Sequence, residues 1–176
     1  ALSARGGIGM DPLYTGSMFM TGVSSVALAF WAKAKDNPSL TRIWRALLLS
    51  IALWSLGRAG LGVATTHGFG LVSVRFSYAA SSWMGFLYVL LCGVLVKKEL
   101  PQAAIWLWGV LCACLSVAAW TSFLIADVTE KLSFRFYDVP GGMVFQLFSA
   151  QYTLGIILGV GLLIFGIWKE SGIARN

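Results

Sequence analysis

The feature that most constrains this chain is a series of five apolar stretches, each about twenty residues long, separated by short charged connections. A helix of that length crosses the hydrocarbon core of a bilayer. Backbone polar groups in lipid must be satisfied within the segment, which favours helices over irregular structure. The composition agrees, because 58% of the residues are hydrophobic and only 11% are charged. We therefore predict an all-α integral membrane protein.

The predicted architecture is a single transmembrane helical domain over 1–176, built as a bundle of five spans. The spans lie at about 13–31, 43–64, 71–96, 102–126 and 143–168. Pro101 precedes the fourth span, where its missing N–H costs little because first-turn donors have no partner within the helix. The longest connection, DVTEKLSFRFYDVPGG, precedes the fifth span. It is the one loop that we expect to have structure of its own.

The distribution of basic residues predicts the orientation of the bundle. Eight Lys and Arg residues lie on the side of the first connection, Lys97, Lys98 and the C-terminal tail, and five lie on the other side. Short loops rich in Lys and Arg are retained in the cytoplasm. We therefore predict a multi-pass protein with its N-terminus outside and its C-terminus in the cytoplasm.

Groups that support catalysis or cofactor binding are scarce in this sequence. The single histidine, His67, lies in a predicted outer turn, and the predicted spans hold no central lysine or paired carboxylates. The cysteines, Cys92, Cys112 and Cys114, lie in predicted spans, where small apolar packing explains them. We predict a protein that is not an enzyme and that needs no cofactor or metal. Its basic residues flank the spans, so we also predict no nucleic-acid partner.

Arg58 is the clearest polar candidate inside a predicted span. An ionisable group in lipid costs several kcal/mol unless it is paired or hydrated, so it is a functional hypothesis by default. Gly57 and Gly60 flank it and would let a neighbouring helix approach closely. We predict that Arg58 turns into the bundle and forms an ion pair with Asp127. The alternative is snorkelling to the outer headgroups, which is favoured for Arg75.

Polar side chains occur at matching depth in the third and fifth spans. Tyr78 and Ser82 lie in the outer half of the third span, and Gln146, Ser149 and Thr153 fall on one helical face of the fifth. We predict an outward-opening cavity between the second, third and fifth helices. Hydrogen bonding between helices is the alternative explanation. The candidate ligand-binding residues are Arg58, Tyr78, Ser82, Gln146, Ser149 and Thr153.

Glycines in the fifth span form a small-xxx-small register, beginning with Gly155 and Gly159. Such a register favours close helix packing, either within the chain or between chains. The predicted partners are therefore membrane lipid, together with other membrane subunits or further copies of the chain on glycine-rich faces. A small or lipid-like ligand is a further predicted partner.

Three segments resemble a known family: ALWSLGRAGL, RFSYAASSWMGFLYVLLCGVL and the stretch from FRFYDVPGG to the end. They are similar to the amino-terminal seven-helix membrane sensor region of bacterial histidine kinases and related signalling proteins. Trp54, Tyr78, Trp83 and Arg175 occupy places where that family has recurring aromatic and basic residues. The resemblance implies a sensor in the bacterial inner membrane. The chain differs in having five predicted spans and no proline within the fourth.

Two functions from different classes remain open at this point. The leading hypothesis is a sensory or ligand-binding domain that couples an outer-half pocket to a cytoplasmic output. The competing one is an accessory subunit of a larger membrane complex, packed against other subunits, lipid or pigment. A small transporter is the weakest hypothesis, because the sequence shows no internal repeat or broken helix.

Overall fold

The computed structural model describes residues 11–31, 37–129 and 136–170, and 80% of them are helical. The helices are α1 (Asp11–Trp31), α2 (Pro38–Val63), α3 (His67–Ser81), α4 (Met84–Leu95), α5 (Gln102–Ala118) and α6 (Met143–Glu170). The strands are β1 (Ile125–Thr129) and β2 (Tyr137–Pro140). The prediction of a mainly helical chain is confirmed, but the two strands depart from an all-α fold.

Four segments are long and apolar enough to cross a membrane: Pro12–Trp31, Pro38–Val63, His67–Leu95 and Met143–Lys169. The third of these combines α3 and α4. Helix α5 is also apolar but has 17 residues, so its length is roughly 26 Å at about 1.5 Å per residue. That is shorter than a hydrocarbon core of about 30 Å.

The predicted fourth span, 102–126, is wrong at its C-terminal end. Helix α5 ends at Ala118 because the hydroxyl of Thr121 replaces a helical backbone partner. Thr121 Oγ1 donates to the Ala118 carbonyl at 2.7 Å and accepts from the Phe123 N–H at 3.3 Å. Hydroxyl side chains that bond the nearby backbone in this way compete with helix continuation.

A two-residue interruption at Ser82 and Trp83 separates α3 from α4. Both residues keep right-handed helical backbone angles, so α4 continues in the sense of α3. The Trp83 N–H donates to the Ala80 carbonyl at 3.3 Å, a tighter pairing than the α-helical one. Gln151 Nε2 of α6 donates to the Ser82 carbonyl at 3.2 Å. The hydropathy pattern of 71–96 did not predict this interruption.

Small residues allow the helices to pack closely. Helix α2 lies between α1 and α3, and it also contacts α4, which in turn packs against α6. A Cβ on Gly57 of α2 would lie 2.8 Å from the Ser73 carbonyl oxygen of α3. A Cβ on Gly155 of α6 would lie 2.7 Å from the Gly85 Cα of α4. The first crossing therefore fixes α2 against α3, and the second fixes α4 against α6.

Strands β1 and β2 form an antiparallel ribbon that covers one end of the bundle, here called the hairpin end. Ile125 and Val128 of β1 are buried among residues of α2, α3, α5 and α6. The register shifts between Ile125 and Asp127, which is a β-bulge. A bulge inserts one extra residue, so the two buried residues are three positions apart instead of two. The expectation that the longest connection has its own structure is confirmed for its described residues.

Candidate functional site

Arg58 turns into the bundle and joins a network of polar side chains from four elements. Its Nη1 lies 3.3 Å from Oδ2 of Asp138 on β2, and the two side chains are 20% and 12% exposed. Arg58 Nε donates to the Tyr14 hydroxyl of α1 at 3.3 Å. The Tyr78 hydroxyl of α3 donates to the same Asp138 oxygen at 2.6 Å. The guanidinium charge is therefore balanced by a carboxylate inside the bundle.

The predicted ion pair between Arg58 and Asp127 is wrong, because Asp138 is the acidic partner. The reason is the register of the ribbon, in which Asp138 pairs with the buried Val128. Paired residues point to the same face of a sheet and successive residues to opposite faces. Asp138 therefore faces the bundle with Val128, whereas Asp127 faces outward.

Asp127 instead pairs with His67, at the start of α3. The distance between Asp127 Oδ1 and His67 Nε2 is 2.6 Å, and both side chains are about half exposed. Hydrogen bonds from the Val128 N–H and from the His67 ring hold the pKa of the Asp127 carboxyl below its usual value. The ribbon is thus attached to the bundle by one acidic residue on each of its faces.

A cavity of about 290 Å³ lies beside the Arg58–Asp138 pair. It opens between α1, α2, the α3–α4 interruption and α6. Its walls combine the polar groups at the hairpin end with aromatic rings, and Tyr78 meets Phe148 edge to face at 5.3 Å. The lining residues are Tyr14, Trp54, Arg58, Tyr78, Ser81, Met84, Phe148 and Tyr152. We call this space the Arg58 cavity.

Of the six described candidates, the wall of the Arg58 cavity includes only Arg58 and Tyr78. Ser82 is fully buried, and its hydroxyl donates to the Tyr78 carbonyl at 2.9 Å. Ser149 donates to the Phe145 carbonyl at 2.9 Å. These two hydroxyls therefore bond to the preceding turn of their own segments, which corresponds neither to the predicted cavity nor to hydrogen bonding between helices.

Gln146 and Thr153 are exposed, because α6 turns a different face to the bundle from the predicted one. The buried face of α6 carries Phe148, Gln151 and Gly155, spaced three and four residues apart. Gln151, at 4% exposure, is the polar residue that this face buries. The prediction chose the face with the most polar residues, whereas packing selected the face with glycines.

The sequence pattern did not predict Tyr14, Asp138 or most of the aromatic wall as parts of the site. Trp54 lies four residues before Arg58 on α2, and Phe148 lies four residues before Tyr152 on α6. Residues at this spacing share a helix face, so Trp54 could have been placed beside Arg58. Tyr14 gave no such signal, since its contact with Arg58 depends on how α1 meets the far end of α2.

A second cavity, of about 330 Å³, adjoins the Arg58 cavity. The two cavities share Trp54, Met84 and Tyr152. The second cavity extends away from the hairpin end between α2, α4 and α6. Its remaining lining residues are Leu47, Ile51, Gly85, Tyr88 and Ile156. We call it the apolar cavity.

No protein-family model, curated protein or solved structure matches this chain. Within the described ranges, no group of three or more His, Cys, Asp or Glu residues is placed to hold a metal ion. The site itself presents one ion pair, the hydroxyls of Tyr14, Tyr78 and Ser81, and aromatic rings.

Proposed function

We propose that this chain is a membrane-embedded sensory domain in which a small lipid-like molecule binds in the Arg58 cavity. The observation that carries the proposal is the network of Arg58, Asp138, Tyr14 and Tyr78, of which all but Asp138 line the cavity. A helical bundle does not need a buried ion pair for its stability, because apolar residues of similar volume often stabilise it equally well. Ionisable residues inside membrane bundles instead mark sites of binding or transport.

The position of the two cavities provides a way to transmit binding. Both lie between α2 on one side and the packed pair of α4 and α6 on the other. Contacts at Gly155 and Gly159, and further along between Val96 and Gly166, hold α4 against α6. An occupant of the cavities is therefore expected to move this pair as a unit relative to α2.

Such a movement can act as a signal only if the ligand binds the two arrangements with different affinity. The polar contacts at the cavity come from α1, α2, α3 and β2, whereas α6 contributes aromatic walls. A relative shift would therefore change the fit between the polar and the aromatic sides of the cavity. The output in the cytoplasm and the bacterial inner-membrane location belong to the same proposal, and the resemblance to the kinase sensor region supports them.

Spin-label distances in lipid nanodiscs test this function. We expect at least one single-chain probe, laurate, 1-lauroylglycerol or dodecyltrimethylammonium, to shift the distance between labels at Ser39 and Ile167 by about 1–2 Å, the usual scale of helix shifts. The matched pair at Leu95 and Ile167 lies within the α4–α6 unit and should not change. Cys114 is replaced by alanine to avoid labelling. If saturating amounts of all three probes leave both distances unchanged, the sensory proposal fails.

The orientation of the bundle is a separate prediction, based on the basic residues at the end opposite the ribbon. In intact cells, a membrane-impermeant maleimide is expected to modify cysteine introduced at Thr65, in the turn before α3. It should not modify cysteine introduced at Glu99, between α4 and α5, until the membrane is opened. Labelling at Glu99 in intact cells would reverse the predicted topology.

The accessory-subunit hypothesis keeps one specific observation in its favour. The outward face of α6 carries large apolar side chains, among them Ile157 at 62% and Ile167 at 65% exposure. No described atom lies within 4 Å of a Cβ on Gly161 of the same helix. Lipid covers such a face as well as a protein does. Purification in mild detergent as a large hetero-complex would favour the accessory subunit over the sensor.

A further inference from the structure

We propose that the ligand is a neutral amphiphile with a single alkyl chain. Its polar head would occupy the Arg58 cavity and its chain the apolar cavity. This inference rests on the proposed function and names the chemical class of ligand for that site. Three observations support it: the two cavities adjoin, they differ in polarity, and the Arg58 cavity already has an ion pair beside it.

The two cavities share three lining residues and follow one another along the helix axes, and together they are called the slot. On α2 the lining residues run from Arg58 through the shared Trp54 to Leu47. On α6 they run from Phe148 through the shared Tyr152 to Ile156. Arg58 and Leu47 are eleven positions apart, or roughly 16 Å at about 1.5 Å per residue. Both helices therefore lead from the hairpin end into the depth of the bundle.

The polarity of the slot changes along this path. At the hairpin end it meets Arg58, the hydroxyl-bearing Tyr14 and Tyr78, and Ser81. Beyond the shared residues, the lining is aliphatic apart from the tyrosine ring of Tyr88. An amphiphile matches this order, because its polar end keeps hydrogen-bonding partners while its alkyl chain avoids them.

The ion pair beside the Arg58 cavity favours a ligand whose polar head is neutral. Asp138 already balances Arg58 at 3.3 Å, and its carboxylate also accepts the Tyr78 hydroxyl. An anionic head would have to displace Asp138 or bind beside a like charge, which is unfavourable. A hydroxyl or ester head can share the same donors and acceptors without disturbing the pair.

The volume of the two cavities favours a ligand with a single alkyl chain. The cavities measure about 290 and 330 Å³, each close to the lower bound of typical ligand pockets, roughly 300–1,000 Å³. The apolar cavity lies between Ile51 and Ile156 on facing helices. A bilayer phospholipid would bring two chains and an anionic phosphate, so it fits neither the volume nor the charge.

Photo-crosslinking with two forms of 1-lauroylglycerol tests where the ligand lies. One form carries a diazirine at the end of the chain, and the other carries it next to the glycerol. In nanodiscs we expect the chain-end form to label Leu47, Ile51 or Ile156, and the head form to label Tyr78 or Phe148. Labelling of the outward residues Leu154 and Ile157 by both forms, as for bulk lipid, would overturn the proposal.

Competition and a blocking variant test the chemical class. Unlabelled 1-lauroylglycerol is expected to compete at least tenfold better than laurate at equal bilayer concentration. Ile156→Trp should reduce crosslinking at Phe148 at least tenfold by filling the apolar cavity, whereas the control Ile157→Trp, on the outward face, should not. Equal or better competition by laurate would overturn the neutral head. In that case a shift of the Ser39–Ile167 distance by laurate would leave the sensory function standing.

Discussion

Replacing Gly155 by leucine is expected to separate α4 from α6 and to lower the free energy of unfolding by about 3 kcal/mol, the upper part of the usual range for overpacking. A Cβ at this position would lie 2.7 to 2.9 Å from the Cα, carbonyl carbon and carbonyl oxygen of Gly85. These are backbone atoms, which cannot rotate away as a side chain can. The two helices must therefore move apart, and many of the contacts beyond this crossing are weakened.

Thermal denaturation in detergent, followed by circular dichroism, measures this loss. Gly161→Leu is the matched control, because it makes the same change on the same helix where no described atom lies within 4 Å of the Cβ. The control should be neutral or slightly stabilising, since leucine is a better helix former than glycine by up to about 1 kcal/mol. If both variants lose the same stability, the close crossing of α4 and α6 is not what holds the bundle together.

Replacing Asp138 by asparagine is expected to destabilise the protein by about 3 kcal/mol. Removing one partner of a buried ion pair typically costs about 3–5 kcal/mol, because the other charge remains buried and unpaired. The lower value applies here because one fifth of the Arg58 side chain is exposed. The substitution keeps the size of the side chain and an acceptor for the Tyr78 hydroxyl, so the loss reports on the charge.

The matched control is Asp127→Asn, which makes the same chemical change on the other face of the same ribbon. Its pair with His67 is about half exposed, and exposed ion pairs contribute little to stability. We expect no large change in the melting temperature for this variant. The double variant Arg58→Met with Asp138→Leu should recover most of the loss, because it removes both charges. A larger effect for Asp127→Asn than for Asp138→Asn would contradict the assigned ion pair.

The four long apolar segments could be predicted because a helix that is able to cross a bilayer needs about 20 consecutive apolar residues. Apolar stretches of sufficient length identified all four of the long segments, and the inward turn of Arg58 followed from the cost of a charge in lipid. The end of α5 was placed too late, because the sequence from 119 to 126 carries no charged residue. The local hydroxyl of Thr121, which stops the helix, has no effect on a hydropathy pattern.

The residues of the cavity were harder to predict because they depend on which face each helix buries. In soluble proteins the buried face is the apolar one, but in lipid apolar residues are stable on both faces. Helix α6 is apolar on most of its surface, so the polar residues Gln146 and Thr153 indicated the wrong side. Gly155 decides the orientation, because only a residue without a side chain allows the backbone of α4 to approach.

The β-bulge at Ala126 separates the register of the ribbon from the length of β1. Asp127 and Asp138 face opposite sides because Asp127 pairs with Val139, the neighbour of Asp138. The extra residue lies before Asp127, so the deletion of Ala126 would leave this pairing in place. A shift of the pairing itself by one position would instead turn every side chain of the strand to the other face. The ribbon therefore tolerates the loss of the bulged residue better than a slip of the pairing that places Asp138.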